Sequence, residues 1–153
     1  MVSFTEVKLY TDGASKCNGS PDAVGGWSAI LLCGNHKKVI SGGEKGVTNN
    51  MMELRAVIEG VKALKKPCEV AVYTDSTYVI NGATNMREWI SRGWKTAGNK
   101  PVANKTLWQE LIDVGNAGKH HLTFHHVEGH AGNELNEECD KLAKKEAAYA
   151  QNN

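Results

Sequence analysis

The stretch VKLYTDG, residues 7–13, alternates apolar and polar side chains up to an aspartate and a glycine. This period of two predicts a β-strand that ends at Asp12, and Gly13 allows a turn directly after it. Residues 70–76, VAVYTDS, repeat the Tyr-Thr-Asp ending. A lone Asp-Gly pair usually only forms a turn. Two matched endings instead predict two strands that each present an aspartate, Asp12 or Asp75, at the carboxyl end.

The remaining elements follow from periodicity and turn residues. Strands are predicted at 25–32, 37–41, 69–75 and 121–127, and helices at 50–65, from 76, at 86–90, at 104–114 and at 133–150. Asn49 or Asn50 is well suited to cap the helix that Pro67 ends. This order predicts an α/β fold with a mixed five-stranded sheet flanked by helices. The first three strands are expected to be antiparallel, and the later strands to arrive by helical crossovers.

The composition is that of an ordinary globular protein, and we expect residues 1–153 to form a single domain. No apolar run is long enough to span a membrane, and the first residues lack the basic and apolar regions of a secretory signal. The four cysteines are far apart and form no Cys-x-x-Cys pair, which favours reduced thiols in a cytoplasmic protein. We also expect a monomer with no membrane partner.

Positive charge is concentrated between Arg87 and Lys105, although the net charge of the chain is only +1. This basic segment, residues 87–105, contains five basic residues and one acidic residue, and Trp89, Trp94 and Trp108 lie in or beside it. Cations mixed with aromatic rings suit a nucleic-acid backbone. The alternative is a solvated surface with the tryptophans packed into the core, and the segment by itself leaves both possibilities open.

Glu53 is the most unusual residue of the sequence, because it lies on the apolar stripe of the predicted 50–65 helix, one turn before Ala56 and Val57. Acidic side chains are almost never fully buried unless they are paired or bind a metal. The alternative is that Glu53 lies beside the stripe and only complements the positive end of the helix.

Four carboxylates need a common explanation: Asp12, Glu53, Asp75 and, from the last helix, Asp140. If the strands that end at Asp12 and Asp75 are parallel neighbours, their ends lie side by side. Like charges at such short range repel unless cations neutralise them. Ligation by oxygen alone favours Mg2+ or Mn2+ over zinc. Two such ions about 4 Å apart can activate a water and stabilise a leaving oxygen in a phosphoryl displacement.

Six motifs, in the right order, resemble those of the type 1 ribonucleases H. They are YTDG at 10–13, TNNMMEL at 48–54, TDSTYV at 74–79, RGWKT at 92–96, LW at 107–108 and GHAGNELNEECDKLA at 129–143. The resemblance covers nearly the whole chain and implies the ribonuclease H-like fold. It also implies cleavage of the RNA strand of an RNA/DNA hybrid, leaving a 5′-phosphate and a 3′-hydroxyl.

The same resemblance implies roles for five site residues. Asp12 would bridge two Mg2+ ions, for which Mn2+ could substitute. Asp140 would complete the site of the water-activating ion, and Glu53 with Asp75 the site of the other ion. His130, in the Gly-His-Ala-Gly loop, would assist proton transfer or product release.

Contacts with the hybrid are implied in the same way. The minor groove, where 2′-hydroxyls distinguish RNA from DNA, would be contacted by three asparagines, and a phosphate would be positioned by a threonine. The basic segment would grip the DNA strand. The implied substrate-binding residues are Asn18, Thr48, Asn49, Asn50, Thr77, Arg92, Trp94 and Lys95.

The sequence departs from the family pattern at three places. The 14–24 loop lacks the Gly-Asn-Pro-Gly-Pro common in the family, which affects the assignment of Asn18. Thr77 stands where many members carry glutamine, which would weaken a base contact. The basic segment has fewer lysines than in some relatives, so we expect weaker hybrid affinity and a shallower dependence on salt.

Two other functions are compatible with this fold. One is an inactive module that binds hybrids, which the four intact carboxylates disfavour. The other is a DNA-cutting integrase or resolvase relative, which the Gly-His-Ala-Gly loop and the one-domain length disfavour.

Overall fold

The computed structural model describes residues 4–128 and 133–152, which form five strands and four helices. The elements are β1 Thr5–Lys16, β2 Val24–Cys33, β3 His36–Lys45, α1 Asn49–Lys62, β4 Cys68–Thr74, α2 Thr77–Ser91, α3 Lys105–Ala117, β5 His121–His126 and α4 Glu134–Asn152. The strands form one sheet in the order β3-β2-β1-β4-β5. The first three are antiparallel, and β4 and β5 run parallel to β1. The predicted mixed five-stranded sheet is therefore confirmed.

The first strand is longer than predicted, and the prediction of a turn at Gly13 is wrong. The strand continues past Asp12 to Lys16, because Val24–Trp27 of β2 supplies an antiparallel partner for each added residue. The turn comes afterwards, where Cys17 takes a left-handed conformation with φ 57°. Asp12 thus lies within a paired strand, which holds its backbone more firmly than a turn would.

Two helices also begin or continue differently from the prediction. Thr48, rather than Asn49 or Asn50, caps α1, because its hydroxyl oxygen accepts a hydrogen bond from the N–H of Met51 at 3.2 Å. The helix that starts at Thr77 does not stop before residue 86, and α2 runs unbroken to Ser91.

The helices lie on both faces of the sheet. Neighbouring residues of a strand point to opposite faces. A Cβ atom at Gly25 of β2 would meet Met52 of α1, whereas one at Gly26 would meet Ala143 of α4. The first helix therefore covers one face and the last helix the other. No helix within the described ranges is long and apolar enough to cross a membrane.

The main core lies between the sheet and the helices α1, α2 and α3. Its fully buried side chains include Leu9 and Val72 from the strands and Val57 from α1. Trp108 of α3 is also fully buried, and its indole N–H donates a hydrogen bond to the hydroxyl of Tyr78 at 3.2 Å. This packing fixes α1 and α2 relative to the place where the pairing of β1 with β4 ends, next to Asp12 and Asp75.

Candidate active site

The two Tyr-Thr-Asp endings lie side by side in the sheet. The parallel ladder of β1 and β4 pairs Tyr10 with Tyr73, and their rings stack at 4.9 Å between centroids. Asp12 and Asp75 each follow their tyrosine by two residues. The matched register therefore brings the two aspartates side by side, just beyond the last paired residues of β1 and β4, as the repeated motif predicts.

The backbone around Asp75 is held by its neighbours. The N–H of Ser76 donates to the hydroxyl of Thr74 at 3.0 Å, and the hydroxyl oxygen of Ser76 accepts from the N–H of Val79 at 3.1 Å. The second contact caps α2, as expected for a serine at that position. The strand end and the helix start therefore fix the position of Asp75 between them.

Helix α1 brings Glu53 to the aspartates because Gly13 allows a close approach. A Cβ atom at Gly13 would lie 2.5 Å from the backbone nitrogen of Glu53 and 2.6 Å from the carbonyl carbon of Met52. The N–H of Gly13 donates to Oδ1 of Asp12 at 2.9 Å and also to Oε1 of Glu53. One backbone amide thus holds both carboxylates, and only glycine fits at this point.

Three carboxylates form a compact group, which we call the carboxylate cluster: Asp12, Glu53 and Asp75. One oxygen of each lies within 4.8 Å of the others. Asp12 and Glu53 are each only 4% exposed, which confirms that Glu53 is on the buried stripe of α1. Within the described ranges, Oδ2 of Asp12 is buried without a hydrogen-bond partner.

Burial and mutual repulsion favour the protonated forms of this cluster. Burial is the main cause that raises the pKa of Asp12 from its ordinary 3.8 to about 7, and the charges of Asp75 and Asp140 act in the same direction. Burial, followed by the charge of Asp12, raises the pKa of Glu53 well above its ordinary 4.5. The ionised cluster is therefore unfavourable until a cation compensates its charge.

The cluster fits a divalent cation by its chemistry. It offers only carboxylate oxygens, the donors that Mg2+ and Mn2+ prefer. Oδ2 of Asp12 has no donor among the residues that the structure describes, although buried carboxylate oxygens normally have one. A cation would supply the missing partner and the missing charge together.

Asp140 lies beside the cluster and is not part of the group within 4.8 Å. Cys139, the residue before Asp140, contacts the carbonyl oxygen of Tyr10 on β1, and the charge of Asp140 contributes to the raised pKa of Asp12. Oδ2 of Asp140 forms an ion pair with Nζ of Lys144 at 2.9 Å, one helical turn along α4. The hydrogen bond to Asp140 is the main cause that raises the pKa of Lys144. Lys144 is not among the predicted site residues, although its spacing of four from Asp140 is the sequence signal of such an ion pair.

The predicted minor-groove residues come together at the start of α1. The side-chain Oδ1 of Asn18 accepts a hydrogen bond from the backbone N–H of Asn49 at 3.1 Å. Asn50 is exposed in the same first turn, and Thr77 is exposed at the start of α2. His130 lies outside the described residues.

The basic segment has a mixed character. Trp108 is in the core, and Trp89 and Trp94 are partly buried against it. The alternative that the tryptophans pack into the core is therefore the one observed for these rings. Arg92 is exposed and pairs with Glu88 at 3.1 Å, and exposed Lys95 forms a backbone bridge with Pro101. Arg92 and Lys95 thus lie on the surface, while the three tryptophans are buried or partly buried.

A profile of the RNase H family matches residues 5–148. The chain is also 49% identical, over 143 residues, to a ribonuclease H of Erythrobacter litoralis, and the match covers 93% of this chain and 96% of that protein. The chain belongs to the ribonuclease H family.

Solved ribonuclease H structures agree with this assignment. LC9-RNase H1, described as a type 1 RNase H with the type 2 active-site motif, superposes with a TM-score of 0.85 at 29% identity. The match covers 98% of this chain and 75% of that one. LC11-RNase H1, solved in complex with an RNA/DNA hybrid, has a TM-score of 0.73 at 19% identity, with 94% and 98% covered. The second similarity concerns the fold, which is that of ribonuclease H.

Proposed function

We propose that the carboxylate cluster is the centre at which this ribonuclease H hydrolyses the RNA strand of RNA/DNA hybrids. The observation that carries the proposal is the meeting of three carboxylates, two of them buried, at the shared edge of β1 and β4. Membership of the ribonuclease H family indicates the type of reaction, which is hydrolysis of RNA. The products would carry a 5′-phosphate and a 3′-hydroxyl.

The ion-binding residues are proposed as follows. Asp12, Glu53 and Asp75 would hold Mg2+, with Asp140 completing a second site next to Asp12. Bound divalent ions supply a water activated for attack and stabilisation of the charge on the leaving oxygen. Mn2+ would substitute because it accepts the same oxygen donors.

The protein's own contribution is to keep these side chains in place before substrate arrives. The N–H of Gly13 orients Asp12 and Glu53, and the Thr74–Ser76 contacts orient the backbone of Asp75. Because the two most buried carboxylates are pre-positioned, little reorganisation is needed during the reaction. His130 is proposed to assist proton transfer or product release, so His130→Ala should slow cleavage less than Asp12→Asn.

Hybrid recognition is proposed to begin at the contact between the 17–23 loop and α1. Asn18, Asn49 and Asn50 would read the minor groove, where 2′-hydroxyls mark the RNA strand. Thr48 would position a phosphate with its hydroxyl proton, since its oxygen already accepts from Met51. Thr77 would contact a base, and Arg92, Trp94 and Lys95 would contact the DNA strand.

We further propose that residues 1–153 act as a single catalytic domain, as a monomer in the cytoplasm. The family match over 5–148 and the single sheet support one domain. All four carboxylates come from one chain, so the site needs no second copy.

The deciding experiment compares cleavage of a labelled RNA/DNA hybrid with matched RNA/RNA and DNA/DNA duplexes, with Mg2+, with Mn2+ and with chelator. The expected result is metal-dependent cutting confined to the RNA of the hybrid. Hybrid binding without cutting would instead indicate an inactive binding module. Cutting of duplex DNA would indicate an integrase- or resolvase-like enzyme.

A further inference from the structure

A buried serine lies directly beside the carboxylate cluster on β2. Ser28 is fully buried and is paired with Asp12 across the antiparallel β1–β2 ladder. Residues directly opposite each other in such a ladder point to the same face of the sheet. The Ser28 side chain therefore stands next to that of Asp12, on the face that α4 covers.

Ser28 and Cys139 connect α4 to the two central strands. The Ser28 hydroxyl donates to the carbonyl oxygen of Cys139 at 2.6 Å. The Cys139 thiol donates to the carbonyl oxygen of Tyr10 on β1 at 3.3 Å. Cys139 lies inside α4, where its carbonyl also serves the helical ladder. The bond from Ser28 is thus additional to the helix and ties it to the sheet.

The rest of this helix–sheet contact is made by small residues. A Cβ atom at Gly26 of β2 would collide with backbone atoms of Ala143 and Ala147, and one at Gly43 of β3 would lie 2.9 Å from the carbonyl oxygen of Glu146. Glycine and alanine surfaces permit close approach but offer few large side chains that interlock. Directional hydrogen bonds are then the contacts that fix the position of α4 along its axis relative to the sheet.

We infer that Ser28, with Cys139, is a positioning residue that sets the distance between Asp140 and Asp12. Asp140 follows Cys139 directly in α4, and Asp12 is the ladder partner of Ser28. The Ser28 hydroxyl therefore links the backbone next to Asp140 to β2, at the position paired with Asp12. The Cys139 thiol links the same turn of α4 to β1. Misplacement of a catalytic group by about 1 Å can reduce a rate about a hundredfold, so such a link matters for the reaction. The inference rests on the proposed function.

The test is Ser28→Ala, with Ser41→Ala as the matched control. Ser41 of β3 is the antiparallel partner of Ser28. The control therefore removes a serine hydroxyl from the neighbouring position in the sheet. We expect Ser28→Ala to raise the Mg2+ concentration for half-maximal cleavage about fivefold, the factor that one buried hydrogen bond represents. The KM for the hybrid should stay within about twofold of the parent value, and Ser41→Ala should match the parent protein.

A second measurement does not depend on activity. The amide NMR signals of Gly13 and Asp140 are followed during titration with MgCl2. In the parent protein both signals should respond to Mg2+. In Ser28→Ala, Gly13 should respond as before, because the carboxylate cluster is intact, while the response of Asp140 moves to about fivefold higher Mg2+. Ser28→Cys keeps a weaker donor, so its Asp140 signal should respond at a Mg2+ concentration between those of the parent protein and Ser28→Ala. This variant provides a result even if Ser28→Ala folds poorly.

Three outcomes would overturn the inference: an unchanged Mg2+ requirement in Ser28→Ala, equal effects of Ser28→Ala and Ser41→Ala, or a parallel shift of the Gly13 and Asp140 responses. Failure of the proposed function is seen separately. In that case the parent protein itself does not cleave the hybrid, while the NMR comparison can still be made.

Discussion

The carboxylate cluster and the basic segment are both charged, and they differ in how far the fold buries the charge. Asp12 and Glu53 are almost completely buried and are held by the N–H of Gly13. Arg92 and Lys95 are exposed, and Arg92 forms a surface ion pair with Glu88. Buried charges interact strongly and demand compensation, whereas exposed charges are screened by water and salt. The cluster should therefore control the reaction, and the basic segment should adjust affinity.

The largest effect is expected from Asp12→Asn. The variant loses the carboxylate proposed to bridge both ions, and the stabilisation that such ions supply amounts to several kcal/mol. Cleavage of the hybrid should fall about a thousandfold or more, while hybrid binding remains measurable. Asp113→Asn is the control, since Asp113 is exposed on α3 and has no role in the proposed site. Retained turnover in Asp12→Asn would contradict the assigned bridging role.

The next largest effect is expected from Gly13→Ala. The new methyl would overlap the backbone of Met52 and Glu53, so α1 must move and carry Glu53 with it. We expect a loss of about 1–3 kcal/mol of stability in denaturant unfolding and reduced cleavage even where the protein is fully folded. At Gly115 of α3 a methyl would meet Leu122 at an ordinary 3.7 Å. Gly115→Ala should therefore keep full activity, and a normal rate in Gly13→Ala would show that the close approach is dispensable.

A smaller effect concerns the pH dependence of stability without metal. The folded-state pKa of Asp12 is raised from 3.8 to about 7, so the folded state binds the proton more tightly than the unfolded state. Stability from this group is therefore greatest below about pH 4 and is lost as pH rises to about 7. Thermal unfolding in chelator should show the Tm of the parent protein falling between pH 5 and pH 7.5. The fall should exceed that of Asp12→Asn by at least about 3 °C.

Addition of Mg2+ at pH 7.5 should recover the lost Tm in the parent protein and not in Asp12→Asn, because a bound cation compensates the ionised cluster. Identical pH profiles for the two proteins would show that burial does not penalise the Asp12 carboxylate.

The smallest effect is expected in the basic segment. Arg92→Gln combined with Lys95→Gln should raise the KM for the hybrid and reduce the slope of log affinity against log salt by about 1 per lost phosphate contact. The kcat at saturating hybrid should be unchanged, because neither side chain touches the cluster. Lys38→Gln, at the opposite end of the sheet, should leave the slope as it is. A kcat loss as large as that of Asp12→Asn would remove the distinction between the two regions.

The prediction from the sequence was right about the order of strands and helices, the mixed sheet and the burial of Glu53. Those features depend on local periodicity and on the rarity of an acidic residue in an apolar stripe. It was wrong about the turn at Gly13, because the extension of β1 depends on pairing with β2, which lies beyond the local pattern. It was also wrong about the cap of α1, since Asn49 and Thr48 are both good capping residues and only the path of the chain chooses between them.

The amino-acid sequence was enough to identify the four carboxylates, the two matching Tyr-Thr-Asp segments and the family that the motifs resemble. These are properties of residue type and spacing. The folded chain was needed to show how closely Asp12, Glu53 and Asp75 approach one another. It was also needed to show that Lys144 pairs with Asp140 and that Ser28 connects α4 to the sheet. Distances between groups far apart in the chain depend on strand register and helix docking, which arise from packing the whole core at once.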